Sequence, residues 1–164
     1  MHADHQLPSD PAMALDLHRS PRWPGVERLH LSAQPFCVCC AEGTNRQAAV
    51  QVHHIFPFHE CIALGRPDLE LDPRNLITLC QGEVGRPSDD HHLLIGHLGS
   101  FESANLDVVE GARSIFHGMC AAAIHANADW QRAAANRPKP FAEMTVDERT
   151  AFANAMNGRF PKLG

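Results

Sequence analysis

The spacing of apolar and polar positions changes several times along this chain, and each change marks an element. Ala49-Val50-Gln51-Val52-His53 alternates and is β-branched, which predicts a strand over 49–53. Residues 56–72 contain two prolines and a glycine and read as a long loop or irregular insert. Asn75-Leu76-Ile77-Thr78-Leu79 predicts a second strand, and residues 81–88 are turn-like, with Gly82, Gly85 and Pro87. Ser88-Asp89-Asp90 then offers a capping residue followed by acids that favour a helix N-terminus. A helix is expected through His91-His92-Leu93-Leu94-Ile95 towards His97. The central order is strand, loop, strand, helix.

The flanks are helical. Trp23-Pro24 suits a first helical turn. Val26, Leu29 and either His30 or Leu31 would form its apolar face, and Gln34-Pro35 would end it. Beyond Asp107, Val108, Ala112, Ile115, Phe116, Met119, Ala123, Ala126 and Trp130 recur at steps of three and four, which predicts one amphipathic helix. Arg137-Pro138-Lys139-Pro140 breaks it. Thr145 and Glu148 fit a capping box before a last helix, with Phe152, Ala155 and Met156 on its apolar face and Gly158 as its stop. Residues 1–18 show no sustained period and read as a loose tail, followed by a compact region over 19–110 and a helical extension over 111–164.

Composition narrows the class. The chain has 164 residues, of which 44% are hydrophobic and 20% charged, as in a soluble globular protein. No stretch approaches the roughly 18 apolar residues of a membrane helix. The N-terminus lacks the basic start and apolar run of a secretory signal. A cytoplasmic location with reduced cysteines is therefore expected, which favours metal binding or core packing over disulfides. The net charge is −5, so nucleic acid cannot be held by bulk charge alone. Residues 111–164 form the only net-basic region.

The 12 His and 6 Cys change the picture by their order. Cys37 and Cys40 form a C-x-x-C turn, which points two thiolates at one tetrahedral metal. Cys80 ends the second strand and His91 starts the helix, completing a candidate Cys3His zinc site. Cys39 competes with Cys37 or Cys40 for a place in it, while Cys61 and Cys120 lack partners and suit the core. His53 and His54 are adjacent on a strand, so their side chains point to opposite faces. One can bind a metal while the other reaches a separate atom. His92 and His97 lie about one helical turn apart and could face that same metal, although a spacing of five is wider than the ideal three or four. The remaining histidines read as surface or core residues.

Together these runs resemble a known family. His53-His54-Ile55-Phe56-Pro57, then Asp72-Pro73-Arg74-Asn75-Leu76-Ile77-Thr78-Leu79-Cys80, then His91-His92 with His97 look like the His-Asn-His (HNH) endonucleases, and most like the subgroup with zinc-ribbon knuckles. The lead-in Arg22-Trp23-Pro24 through Cys40 and the segment Gly96 to Phe101 resemble that subgroup too, so the likeness covers about Arg19 to Asp107. The departure is His91, where the subgroup usually has Cys; His still ligates zinc. The resemblance implies an α+β fold: a ββα-metal core with a structural zinc site and flanking α-helices. It also implies metal-dependent hydrolysis of DNA phosphodiester bonds, leaving 5′-phosphate ends, with RNA left open as a substrate. His53 matches a metal ligand and His54 the general base. Asn75 matches the middle Asn, which orients the base loop or reaches the metal. His92 matches the ligand on the helix, and His97 is a candidate third ligand.

General chemistry agrees with these roles. A divalent cation neutralises phosphate charge, and His supplies a base near neutral pKa. Imidazole ligands favour Mn, Ni, Co or Zn over Mg. Arg66, Arg74 and Arg86 in the insert loops are candidate phosphate contacts, as are Arg113, Arg132, Arg137 and Lys139 further on. The competing expectation is a zinc-stapled module that binds nucleic acid or protein without catalysis. Such a module would keep Cys37, Cys40, Cys80 and His91 but have no need of His54 and Asn75. No membrane partner is expected.

Overall fold

The computed structural model describes residues 18–41, 48–83, 85–86 and 88–162. The expected N-terminal tail lies outside the described residues apart from His18. Helix α1 is Trp23–Ala33, strand β1 is Val50–His54, helix α2 is Phe58–Ala63 and strand β2 is Leu76–Cys80. A wide π-type turn, α3, spans His92–Gly96. Then come α4 (Val108–Glu110, running on into the wide turn Gly111–Ile115), α5 (Ala121–Ala126), α6 (Ala128–Ala135) and α7 (Val146–Arg159). The fold is thus mixed, with helices around a small two-stranded sheet.

Strands β1 and β2 pair antiparallel, with His53 opposite Ile77 and His54 opposite Leu76. Each begins one residue later than its sequence pattern predicts. Alternation gives the sheet two faces. Val52 and Leu76 lie on one face and pack with Trp23, Val26, Leu31 and Leu71. Ile77 and Leu79 lie on the other and join the main core with Phe56, Ile95, Ile124 and Met156. Adjacent His53 and His54 therefore end β1 on opposite sides. The apolar face of α1 differs from the expected one in one respect: Leu29 is 73% exposed, and Trp23 and His30 are the buried positions.

Three other elements depart from the sequence pattern. The insert at 56–72 is not an irregular loop, since it holds α2 and the 3-10 turn Pro67–Glu70. The single helix expected over 108–130 is three pieces. The break follows Phe116, where Gly118 takes φ +74° and donates its N–H to the Cys39 carbonyl at 2.7 Å. A left-handed residue cannot continue a helix, and Gly adopts that conformation at least cost. Ile115, Ala123 and Ala126 consequently face solvent, while Ile124 is fully buried. In α7 the capping box between Thr145 and Glu148 is formed as expected. Ala155 is exposed, however, and Gly158 lies inside the helix, which stops at Phe160.

The main core is continuous from Cys37 to Phe160, so α4 to α7 pack onto the segment that carries the sheet. Trp130 of α6 donates its indole N–H to the Leu94 carbonyl at 2.8 Å, which pins α6 against α3. Among the described residues, no helix is long and apolar enough to cross a membrane.

Candidate functional site

Two donor clusters stand on either side of one peptide bond. The first is Cys37, Cys40, Cys80 and His91, whose ligand atoms all lie within 4.8 Å of one another. The three sulfurs stand 3.4, 3.5 and 3.3 Å from His91 Nδ1. Zn–S and Zn–N bonds of about 2.3 and 2.0 Å at a tetrahedral angle separate S from N by about 3.5 Å. The donor set and its spacing therefore fit a zinc ion. His91 Nε2 donates to the Met119 carbonyl at 2.9 Å, which fixes Nδ1 as the donor atom. Cys39 is not a ligand, because its thiol bonds the Phe116 carbonyl at 3.2 Å. Hydrogen bonds from Cys37 and Cys40 drive the Cys80 thiol far below its ordinary value. A thiol made this acidic is available as the thiolate that a zinc ligand must be. Despite the penalty of burial, neighbouring thiols push His91 well up.

The second cluster is His53, His92 and His97. Their ring centroids are 5.2, 4.9 and 4.9 Å apart, and the planes cross at 73°, 86° and 84°. Three near-perpendicular rings at equal spacing suit three ligands on one face of an ion. His53 Nε2 and His92 Nδ1 are buried and have no hydrogen-bond partner. An unpaired buried nitrogen is costly unless something meets its lone pair. His97 Nδ1 donates to the Ser103 carbonyl at 2.7 Å, so its lone pair sits on Nε2. Burial, with help from His97, His92 and His54, holds His53 well below its ordinary value, and burial takes His92 down to about 3. Burial lowers His97 as well, so all three rings favour the neutral form that a metal ligand needs.

Local backbone explains the convergence. His53 is the penultimate residue of β1, His92 opens α3 and His97 immediately follows it. The wide turn compresses a spacing of five onto one face, which an ordinary α-helix would not do. Gly96 lies between them, and a Cβ there would come within 3.1 Å of the His53 ring. Asp90 and Leu98 bracket this turn with φ of +49° and +51°. Leu at positive φ is strained, at a cost of about 1–3 kcal/mol. The Asp90 carboxylate also accepts the Leu93 N–H at 3.3 Å, the capping duty that the sequence suggested for Ser88.

His54 faces away from this triad. Its Nε2 donates to the Glu70 carbonyl at 2.9 Å, so Nδ1 is the basic nitrogen. Trp23 packs on the ring with centroids 4.7 Å apart. Asn75 is fully buried and committed to the main chain. Its Oδ1 accepts the Phe56 N–H at 2.8 Å, and its Nδ2 donates to the Phe56 and Leu69 carbonyls at 3.1 and 3.0 Å. These three bonds clamp the segment after His54.

One cleft joins these groups. His53, His54, His92 and His97 line it together with Arg19, Phe58, Glu60 and Phe101. Its volume is about 110 Å3, against roughly 10–15 Å3 for one water on the same measure. An ion and several waters fit.

Arg66 is not at this cleft and does not serve as a phosphate contact. It is 2% exposed and bonds Asp68, Asn157 and the Phe160 carbonyl, tying the insert to α7. Arg74 pairs with Asp72, and Arg86 with Glu83. Arg132 and Lys139 pair with Asp129 and Glu148, Arg137 bonds the Leu98 carbonyl, and Arg113 is exposed. The cleft's cation is Arg19, whose guanidinium stacks over Trp23 and Phe58. Arg19 and Glu60 carry no periodic or spacing signal that would have marked them. No protein-family model matches the chain, and neither a curated protein nor a solved structure does.

Proposed function

We propose that this chain is a metal-dependent endonuclease of the HNH type that hydrolyses DNA phosphodiester bonds. The observation that carries the reading is the division of labour at the end of β1. His53 turns to a three-imidazole cluster, while His54 turns the other way and has its tautomer set by the Glu70 carbonyl. A binding module stapled by zinc needs neither arrangement. The order β1, insert, β2, α3 supports a ββα-metal core, and the Cys3His cluster supports a structural zinc beside it.

His53, His92 and His97 would hold a divalent cation, which supplies positive charge to the phosphate and to the departing oxygen. His54 Nδ1 takes the proton of the attacking water. The Glu70 carbonyl stabilises the imidazolium that results. Asn75 keeps the segment after His54 in place, and Arg19 offers its guanidinium to a phosphate oxygen. Cleavage leaves 5′-phosphate and 3′-hydroxyl ends.

The test is plasmid nicking by the zinc-loaded protein across Mn, Co, Ni, Zn and Mg, with and without EDTA, beside His54→Ala. Transition metals should support nicking better than Mg, and the variant should lose about 10²–10⁴-fold. Equal nicking by both proteins, or nicking that persists in EDTA, overturns the assignment. DNA binding without cleavage in any metal would favour the non-catalytic module.

A further inference from the structure

Glu60 is a carboxyl that the reading above does not use. It sits on α2, inside the insert between the strands, and lines the cleft shared by His54 and the three-histidine cluster. It is only 4% exposed. Oε1 stands 3.9 Å from His59 Nε2, and Oε2 is buried with no hydrogen-bond partner. A buried carboxylate oxygen without a donor costs more than most interactions return. The group is stable there if it holds a proton. It is also outside the set of ligand atoms that converge at the triad, so its role is separate from holding the cation.

Phosphodiester hydrolysis has a need that His54 does not meet. Attack by water requires a base, but the sugar oxygen that leaves is a poor leaving group until it is protonated. We propose that Glu60 is the general acid of this site, giving its proton to the departing 3′ oxygen. The inference rests on the endonuclease reading. As the water oxygen bonds to phosphorus, its proton passes to His54 Nδ1. As the bond from phosphorus to the 3′ oxygen breaks, that oxygen keeps the electron pair and takes the Glu60 proton. The cycle ends with an imidazolium and a carboxylate, and solvent returns one proton from His54 to Glu60. Burial pushes the Glu60 carboxyl up to about 7, so a usable fraction carries the proton at neutral pH.

The experiment compares wild type and Glu60→Gln on two short duplexes in Mn2+. One is ordinary DNA. The other carries a single linkage in which sulfur replaces the bridging 3′ oxygen and leaves as a thiolate without a proton. On ordinary DNA the variant should fall by about 10²–10⁴-fold, while at the sulfur linkage it should match wild type. Melting temperature and a Co2+ titration followed by absorbance should be unchanged, which separates the chemistry from folding and metal loading. Equal loss on both linkages, or no loss on ordinary DNA, overturns the role of Glu60 and leaves the nuclease reading standing. A wild-type protein inert on both duplexes in every metal overturns the nuclease reading, and this inference with it.

Discussion

Asn75→Ala tests how the segment after His54 is held. The amide makes three hydrogen bonds to main chain, and the residue is fully buried. Truncation strands the Phe56 N–H and removes the donor from two carbonyls. An unsatisfied buried group costs about 1–3 kcal/mol. A lost N–H acceptor counts in full, but a carbonyl with a second lone pair counts less, so the total is about 3–5 kcal/mol. That is a large share of the roughly 5–15 kcal/mol that holds a typical domain together. At about 2–4 °C per kcal/mol the melting temperature should drop by about 6–20 °C. Asn75→Asp should not rescue it. The carboxylate still accepts the Phe56 N–H but turns negative charge on the two carbonyls. Urea unfolding of zinc-loaded protein, followed by tryptophan fluorescence, measures both variants. Below the transition, Mn2+ affinity should equal that of wild type, because Asn75 touches none of the three candidate ligands. A destabilisation under about 1 kcal/mol, or a metal affinity that falls in step with stability, would refute the clamp.

Further outcomes follow from the same geometry. Gly96→Ala should leave the fold intact and weaken Co2+ binding by about 10–100-fold, since its Cβ would press on the His53 ring; unchanged affinity would mean that His53 is not a ligand. Cys80→Ser should cost the chain about one tightly held zinc and speed hydrogen exchange at the Gly118 amide, which is bonded to Cys39 beside the cluster; full zinc content in the variant would sink the Cys3His site. Arg19→Ala should weaken duplex binding and lower the salt slope by about one; an identical slope would remove Arg19 from the phosphate path. In Glu60→Gln protein that keeps its zinc but has the second site stripped, which removes the opposing raised carboxyl, stability should be full above about pH 6.5 and fall as pH drops below it. Burial depresses His53, His92 and His97, so the unfolded chain binds protons that the folded chain refuses. A urea midpoint that is flat between pH 7 and pH 5 would contradict that sign.

What was legible in the sequence was short-range. Strand alternation placed both strands to within a residue, and the Thr145 and Glu148 box placed the start of α7. The spacing of thiols and imidazoles anticipated both donor clusters. The misreadings came from contacts that periodicity does not see. Residues 108–130 have helical spacing throughout, yet Gly118 and Met119 are drawn to Cys39 and His91, and those bonds break the helix. Arg66 resembles a loop cation until α7 arrives to bury it. Leu29 fits a helical face, but the sheet beneath α1 offers only Val52 and Leu76, which Trp23 and Val26 already cover. Glu60 was hidden because its insert read as irregular, so nothing indicated that a carboxyl would be turned inward there.

The two donor clusters depend on each other through the backbone. His91 belongs to one and His92 to the next, with strained Asp90 immediately before them and strained Leu98 immediately after His97. Short wide turns with two left-handed residues are not stable by propensity. Something must hold each end. At the C-terminal end, Trp130 and Arg137 bind the Leu94 and Leu98 carbonyls. At the N-terminal end the anchors are His91 among three sulfurs and its bond to Met119. Release of the zinc cluster would free that end of the turn, and His92 would lose the geometry that brings it to His53 and His97. On this argument the Cys3His site and the three-histidine site are energetically linked: zinc-free protein should bind a cation at the proposed second site more weakly although none of the three candidate ligands has changed. Equal second-site affinity before and after removal of zinc would show instead that packing against α6 holds the turn alone.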